Sequence, residues 1–132
     1  MAEFSKQIDA ANGIMIYTIS GELRDGELLE YVTAEFAAAQ KELPECYLYD
    51  FRQCIWNTES LDSFKRNVMT ASQLESPAHY GAMVFSRPED YGLGKMIENM
   101  VKMGEAGADA EAFLNYDEAL AWLIERRQYP PK

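Results

Sequence analysis

The sequence predicts one α/β domain in the order ββαβαβαβα, an N-terminal antiparallel hairpin followed by strand-then-helix units. Three observations carry that expectation. Alternating segments flank Asn12-Gly13, short apolar runs then take turns with stretches of helical spacing, and no linker, repeat or low-complexity tract interrupts them. Alternating strands and helices require a mostly parallel sheet with right-handed crossovers. The expected architecture is a five-stranded mixed sheet with four helices, a single domain spanning residues 1–132.

Phe4 to Asp9 places Phe4, Lys6 and Ile8 on one face and Ser5, Gln7 and Asp9 on the other, a one-sided strand. Asn12-Gly13 closes a short loop, both residues tolerating positive φ. The return strand, Ile14 to Ser20, is largely apolar on both faces and belongs inside the sheet. Asp25 is the expected cap of the first helix, whose inward stripe is Leu28, Leu29, Val32, Phe36 and Ala39. Pro44 stops it. Cys46 to Phe51 forms the third strand.

Thr58 or Ser60 caps a second helix carrying Leu61, Phe64, Val68 and Ala71, with Asp62 and Arg66 spaced for an ion pair; Pro77 ends that unit. Tyr80 to Phe85 is the fourth strand. Asp90 to Met103 is the third helix, with Leu93, Met96, Ile97, Met100 and Met103 inward and Gly104 and Gly107 beyond it. Ala110 to Leu114 is the fifth strand. Asn115, followed by Glu118 three residues on, opens the last helix, Tyr116 to about Arg127.

Composition narrows the function classes. With 22 acidic and 12 basic residues the net charge is −10, which repels phosphate backbones and argues against nucleic acid as partner. Residues 1–45 hold nine acids and three bases, so the surplus is concentrated there; it suits either solubility or a cationic protein partner. No apolar run approaches the ~20 residues of a membrane span, and the N-terminus lacks the pattern of a secretory signal. Two cysteines, Cys46 and Cys54, without a Cys-x-x-Cys spacing fit a reducing compartment, and cytoplasm is the expected location.

The element order resembles the SpoIIAA-like (STAS/SEC14-like) domain family. Tyr49-Asp50-Phe51-Arg52 is similar to the Asp-x-Arg that follows the third strand in that branch, and Asn115-Tyr116-Asp117-Glu118-Ala119-Leu120-Ala121-Trp122-Leu123 is similar to its closing helix. The resemblance covers nearly the whole chain. It implies strands in sequential order and a non-enzymatic role, either regulation through protein contact or binding of a small or lipid-like molecule. The antagonists of that family carry a phosphorylatable serine soon after the third strand. Here eight residues, Phe51 to Thr58, and then Glu59 separate Asp50 from Ser60, so Ser60 is the phosphorylation candidate at an offset position.

Ligands of open parallel sheets bind beyond the C-terminal tips of the strands. Asp50 to Ser60, Ser86 to Asp90 and Asn115 to Asp117 should meet there, making Asp50, Arg52, Trp56, Ser60 and Arg87 the candidate ligand or partner residues. Two arginines beside helix N-termini suit a carboxylate or phosphate. The competing reading pairs Arg52 with Asp50 or Glu59, and Arg87 with Glu89 or Asp90. Trp56 either lines a pocket or dimer contact, or plugs the core. Leu93, Met96 and Met100 are candidates for an apolar pocket under the third helix, against ordinary core packing.

Gly92-Leu93-Gly94-Lys95 is not a phosphate-binding loop, because Glu89 and Met96 stand where glycine and Ser or Thr are needed. His79 falls at the opposite end of the fourth strand from the expected cleft, away from Cys54. No metal-ligand spacing appears, and no cofactor is implied. The reading is therefore a non-enzymatic binding or regulatory module acting through a protein partner, a homodimer contact or a small anionic ligand at the rim. The alternatives are a carrier of a lipid or other apolar molecule and, last, a hydrolase.

Overall fold

The computed structural model describes residues 2–38, 46–57, 80–103 and 109–128. The segment expected to form the second helix, with Ser60 and the Asp62–Arg66 pair, lies outside the described residues, as does His79. Five strands, β1 (Glu3–Asp9), β2 (Ile14–Arg24), β3 (Cys46–Asn57), β4 (Tyr80–Val84) and β5 (Asp109–Phe113), form one sheet in sequential order. β1 is antiparallel to β2, and every later pair is parallel. The three described helices are α1 (Asp25–Ala38), α2 (Pro88–Met103) and α3 (Tyr116–Gln128).

The hairpin turns on Gly13, whose φ is 67°. Asn12 has no positive φ; its backbone N–H and side-chain amide donate to the Asp9 carboxylate at 3.2 and 2.9 Å. A side chain that folds back on a neighbouring backbone replaces the left-handed conformation expected there. At the start of α1 the helix begins on Asp25 itself, so Arg24 holds the cap position. Glu27, three residues on, returns its carboxylate to the Arg24 N–H at 3.1 Å and also accepts from Ala2 N at 3.2 Å, tying the start of β1 to the start of the helix.

α2 begins at Pro88, two residues before the expected Asp90, because proline fits the first turn, where an N–H has no intrahelical partner. α3 is capped as expected: Glu118 N donates to Asn115 Oδ1 at 3.0 Å.

Two apolar layers sandwich the sheet. On one face Tyr17, Ile19, Leu23, Tyr47, Phe51, Cys54, Met83, Phe85 and Ala112 are covered by Leu28 and Tyr31 of α1 and by Tyr91, Leu93, Met96 and Ile97 of α2. On the other, Ile14, Cys46, Leu48, Ala82 and Val84 meet Ala119 and Leu123 of α3. The described crossover helices thus lie on one side and the terminal helix on the other, as sequential strand order with right-handed crossovers demands.

The principal departure from the sequence reading is the length of β2 and β3. Both run past the expected ends at Ser20 and Phe51, pairing Ser20 to Arg24 with Gln53 to Asn57. Since β4 pairs only with Cys46 to Asp50, the added length projects as a two-stranded parallel ribbon. Trp56 therefore stands in a strand rather than among polar loop residues. A bulge makes this possible: Thr18 pairs with Asp50 but Ser20 with Gln53, so one β2 residue, Ile19, faces Phe51 and Arg52 together. The extra residue shifts the alternation by one and returns Cys54 and Trp56 to the face already occupied by Tyr47, Tyr49 and Phe51.

Gly94 lets α2 lie close against the sheet. A Cβ there would overlap the Phe85 ring and stand 3.1 Å from Ala112 Cβ, whereas one at Gly92 would meet nothing within 4 Å. Replacing Gly94 by Ala should destabilise the domain by about 1–3 kcal/mol through overpacking. Gly92→Ala should stabilise it by about 0.4–1 kcal/mol by restricting the unfolded chain. Chemical denaturation of the two variants beside the parent checks both signs.

Candidate functional site

The C-terminal rim gathers the ends of β3, β4 and β5 with the starts of α2 and α3. Asp50 is the last β3 residue paired with β4, and it is buried (8% exposed). Arg52, two residues on, lies across the bulge. Its Nε donates to Asp50 Oδ1 at 2.9 Å, its Nη2 to Oδ2 at 2.8 Å, and its backbone N–H to Oδ1 at 3.1 Å. One carboxylate thus serves two donors on the Nε–Nη2 edge of the guanidinium and a backbone donor of the bulge, the strong bidentate arrangement for this ion pair. Asp50 holds the Arg52 pKa above its ordinary value, chiefly through that hydrogen bond. The guanidinium also lies 4.9 Å from the centroid of the Tyr116 ring at the start of α3.

β4 contributes through its continuation. Phe85 N donates to Phe113 O at 2.9 Å, carrying the pairing one residue past Val84. Ser86 Oγ then donates to Arg52 O at 2.9 Å, which places the Arg52 and Arg87 segments on one rim as the sequence order requires. Arg87 Nε lies 3.2 Å from Glu89 Oε2 and 3.9 Å from Asp90 Oδ2. Both arginines engage neighbouring acids, and what the rim offers is a pair of anchored, half-exposed guanidiniums.

Behind the rim the ribbon is dry. Trp56 packs on Phe51 and Phe85, with ring centroids 4.9 and 6.3 Å away. Cys54 is 4% exposed, and burial, with the nearby Asp90 and Glu27 carboxylates, pushes its thiol up to about 12. Asp90 is itself buried, and the loss of water raises its carboxyl pKa above the usual value. Leu93 and Met96 are half-buried and pack on this core; the side chain of Met100 lies outside the described residues. Trp56 and Cys54 share the inner face of the ribbon, whereas Arg52 and Arg87 point outward, so the rim candidates divide into two groups.

Four contributors were not singled out in the sequence. Tyr116 stacks on Arg52, Ser86 bridges β4 to β3, and Glu27 ties β1 to α1. Glu98, buried at 6% exposure, accepts from Ala112 N at 3.0 Å and from Lys95 Nζ at 3.2 Å, and so occupies a donor on the edge strand β5. Its signal was present in the sequence: an acid on the same helical stripe as Gly94 and Ile97. Among the described residues no three His, Cys, Asp or Glu side chains gather as metal ligands, and no helix is long and apolar enough to cross a membrane.

The chain superposes along almost its whole length on solved structures of low sequence identity. An anti-sigma factor antagonist from Mycobacterium paratuberculosis superposes with a TM-score of 0.63 at 12% identity, over 93% of this chain and 94% of that one. The chain has the SpoIIAA-like fold. A protein of the DUF3478 family from Shewanella loihica, described with a SpoIIAA-like fold, gives 0.59 at 12% identity over 92% and 93% of the two chains. The Bacillus cell fate determinant SpoIIAA in its phosphorylated form gives 0.54 at 13% over 92% and 99%. No family model and no curated protein matches the sequence.

Within this fold the Asp-x-Arg segment acts as a clamp on the β3 bulge. Asp50→Ala removes three hydrogen bonds and should cost about 1–3 kcal/mol, the range for stranding buried polar groups, measured by urea denaturation. Cys54, three units above the ordinary thiol value of 9.0, should react with a disulfide reagent at pH 8 on the order of a thousandfold more slowly than a free thiol, from its thiolate fraction alone. The sign for stability follows: the unfolded thiol ionises above about 9 while the folded one keeps its proton to about 12. Stability should therefore fall as pH rises through that window, and Cys54→Ser should flatten the fall.

Proposed function

We propose that this protein is a non-enzymatic regulatory module that acts by protein contact at the C-terminal rim of its sheet. The observation that carries the reading is Arg52, fixed by two hydrogen bonds to Asp50 and by the Tyr116 ring, with its side chain 46% exposed. A pre-positioned arginine loses little freedom on binding and is favoured at protein interfaces. Supporting it, the structurally similar Mycobacterium paratuberculosis protein is described as an anti-sigma factor antagonist, and the likeness spans almost all of both chains. Glu98 on the β5 edge further favours contact through the rim or a face over addition of a strand at that edge.

Catalysis is not part of the reading. The polar groups of the rim are spent on one another, and the buried thiol with its raised pKa is a poor nucleophile. Anion binding is disfavoured for the same reason, since both guanidiniums already face carboxylates.

Affinity capture with the purified chain as bait tests the proposal. The parent should retain one protein at constant stoichiometry. Arg52→Ala and Arg87→Ala should each lower retention about tenfold while the far-ultraviolet spectrum stays unchanged. Equal retention by the parent and both variants would remove the rim from the interface.

A further inference from the structure

α3 covers only part of its side of the sheet. Trp122 has ring centroids 6.5 Å from Tyr80 of β4 and 5.9 Å from Phe113 of β5, so that flank of the helix points toward the β5 edge. Ala119 and Leu123 form the row buried against the sheet. Leu120 and Ile124 lie about 100° around the helix from Ala119 and Leu123 respectively, on the flank away from Trp122, with Tyr116 nearer the buried row. Leu120 and Ile124 therefore lie on the flank toward β2, and they, Tyr116 and the half-buried Ile16 all pack against the buried cluster that includes Ile14, Leu48 and Leu123.

Beyond Ile16, no described helix lies over this face. Thr18, Ser20 and Glu22 of β2 follow one another along it, half-buried, and Gln7, Ser5 and Glu3 of β1, paired with Ile16, Thr18 and Ser20, are exposed. The ribbon prolongs the face: Ile55 pairs with Glu22, points away from the Cys54–Trp56 side, and is 59% exposed. Two uncovered strands span about 10 Å, the diameter of one helix. The six steps from Ile16 to Glu22 extend about 20 Å, the length of about 13 helical residues. The groove has an apolar wall and floor at one end, from Tyr116, Leu120, Ile124 and Ile16, and an apolar contact at the other, Ile55.

Its charge has one sign in surplus. Along it lie the acids Glu3, Glu22, Asp50 and Asp117 and the bases Arg24, 3.4 Å from Glu22, and Arg52, 2.8 Å from Asp50, so that Glu3 and Asp117 make the surplus.

We propose that this groove seats a cationic amphipathic helix of a partner protein, its apolar stripe on Ile16, Leu120 and Ile124 and its basic residues toward Glu3, Glu22 and Asp117. The inference rests on the reading of the chain as a protein-contact module, but places a second contact along the α3 face, which meets the rim only at Tyr116 and Asp117 and lies apart from Arg87. An apolar stripe across a helix one groove wide gives the affinity, and the acidic border selects the charge of the partner.

The test titrates the isotopically labelled full chain with a synthetic 14-residue helix of leucine and lysine at amphipathic spacing, read by amide chemical shifts. Shifts should concentrate at Ile16, Thr18, Ser20, Leu120 and Ile124. Thr18→Arg, which puts bulk and positive charge on the groove floor, should weaken binding at least tenfold. The double variant Ser5→Arg, Gln7→Arg on the exposed edge strand should weaken it similarly, which covers the case of a misfolded Thr18→Arg. Arg87→Ala should leave it unchanged, so a failure of the rim reading is separable from a failure here. Shifts centred on α1 or spread over all acidic surfaces would overturn the proposal. So would unaltered affinity in both arginine variants, or a dimer in sedimentation that buries this face and excludes the peptide.

Discussion

The rim and the ribbon both depend on the bulge at Phe51–Arg52. Without it, alternation along β3 would carry Cys54 and Trp56 to the face opposite Phe51, and the ribbon would have no apolar side to lay against α1 and α2. A bulge leaves an extra residue out of the ladder, and Asp50 supplies what is missing by accepting the Arg52 N–H. The same carboxylate then fixes the guanidinium, so one residue supports both the backbone irregularity and the exposed side chain. The Asp-x-Arg spacing has a physical meaning here: a carboxylate one residue before a two-residue bulge reaches both the backbone and the side chain of the second bulged residue.

The two faces of the sheet are finished differently. One is filled by an aromatic run, Tyr31, Tyr17, Tyr49, Phe51 and Phe85, whose successive ring centroids lie 5.4–6.1 Å apart. Large rings beneath helices need room, and Gly94 supplies it where Phe85 meets α2. Among the described residues the other face uses small and branched residues under α3, and that cover stops short of β1. That asymmetry produces the acidic groove, since the outward residues of β1 need no cover when they are Glu3, Ser5 and Gln7.

Among the described residues, two of the three buried acids have a structural task. Glu98 satisfies an edge-strand N–H and Lys95, and Asp50 satisfies the bulge. Asp90 is the costly one, its carboxyl pKa raised by burial despite the attraction of Arg87. Its position within the first turn of α2, near the positive end of the helix dipole, accounts for an acid being tolerated there.

The sequence by itself determined the succession of elements and a mostly parallel sheet, since alternation of strand and helix after one early hairpin requires crossovers of one hand, while the sequential order of the strands was implied by the family resemblance. It also determined the cap at Asn115 and the pairing options of Arg52 and Arg87, because those depend on residues only two or three positions apart. Only the tertiary structure decided that β2 and β3 continue into a ribbon: residues 20–24 and 53–57 are polar and apolar by turns, and strand pairing gives them a value that neither segment shows alone. The stacking of Tyr116 on Arg52, the hold of Glu98 on Ala112 and the open half of the α3 face likewise join residues far apart in the chain. Local spacing fixes elements; which distant side chains meet, and which face is left bare, is set by packing.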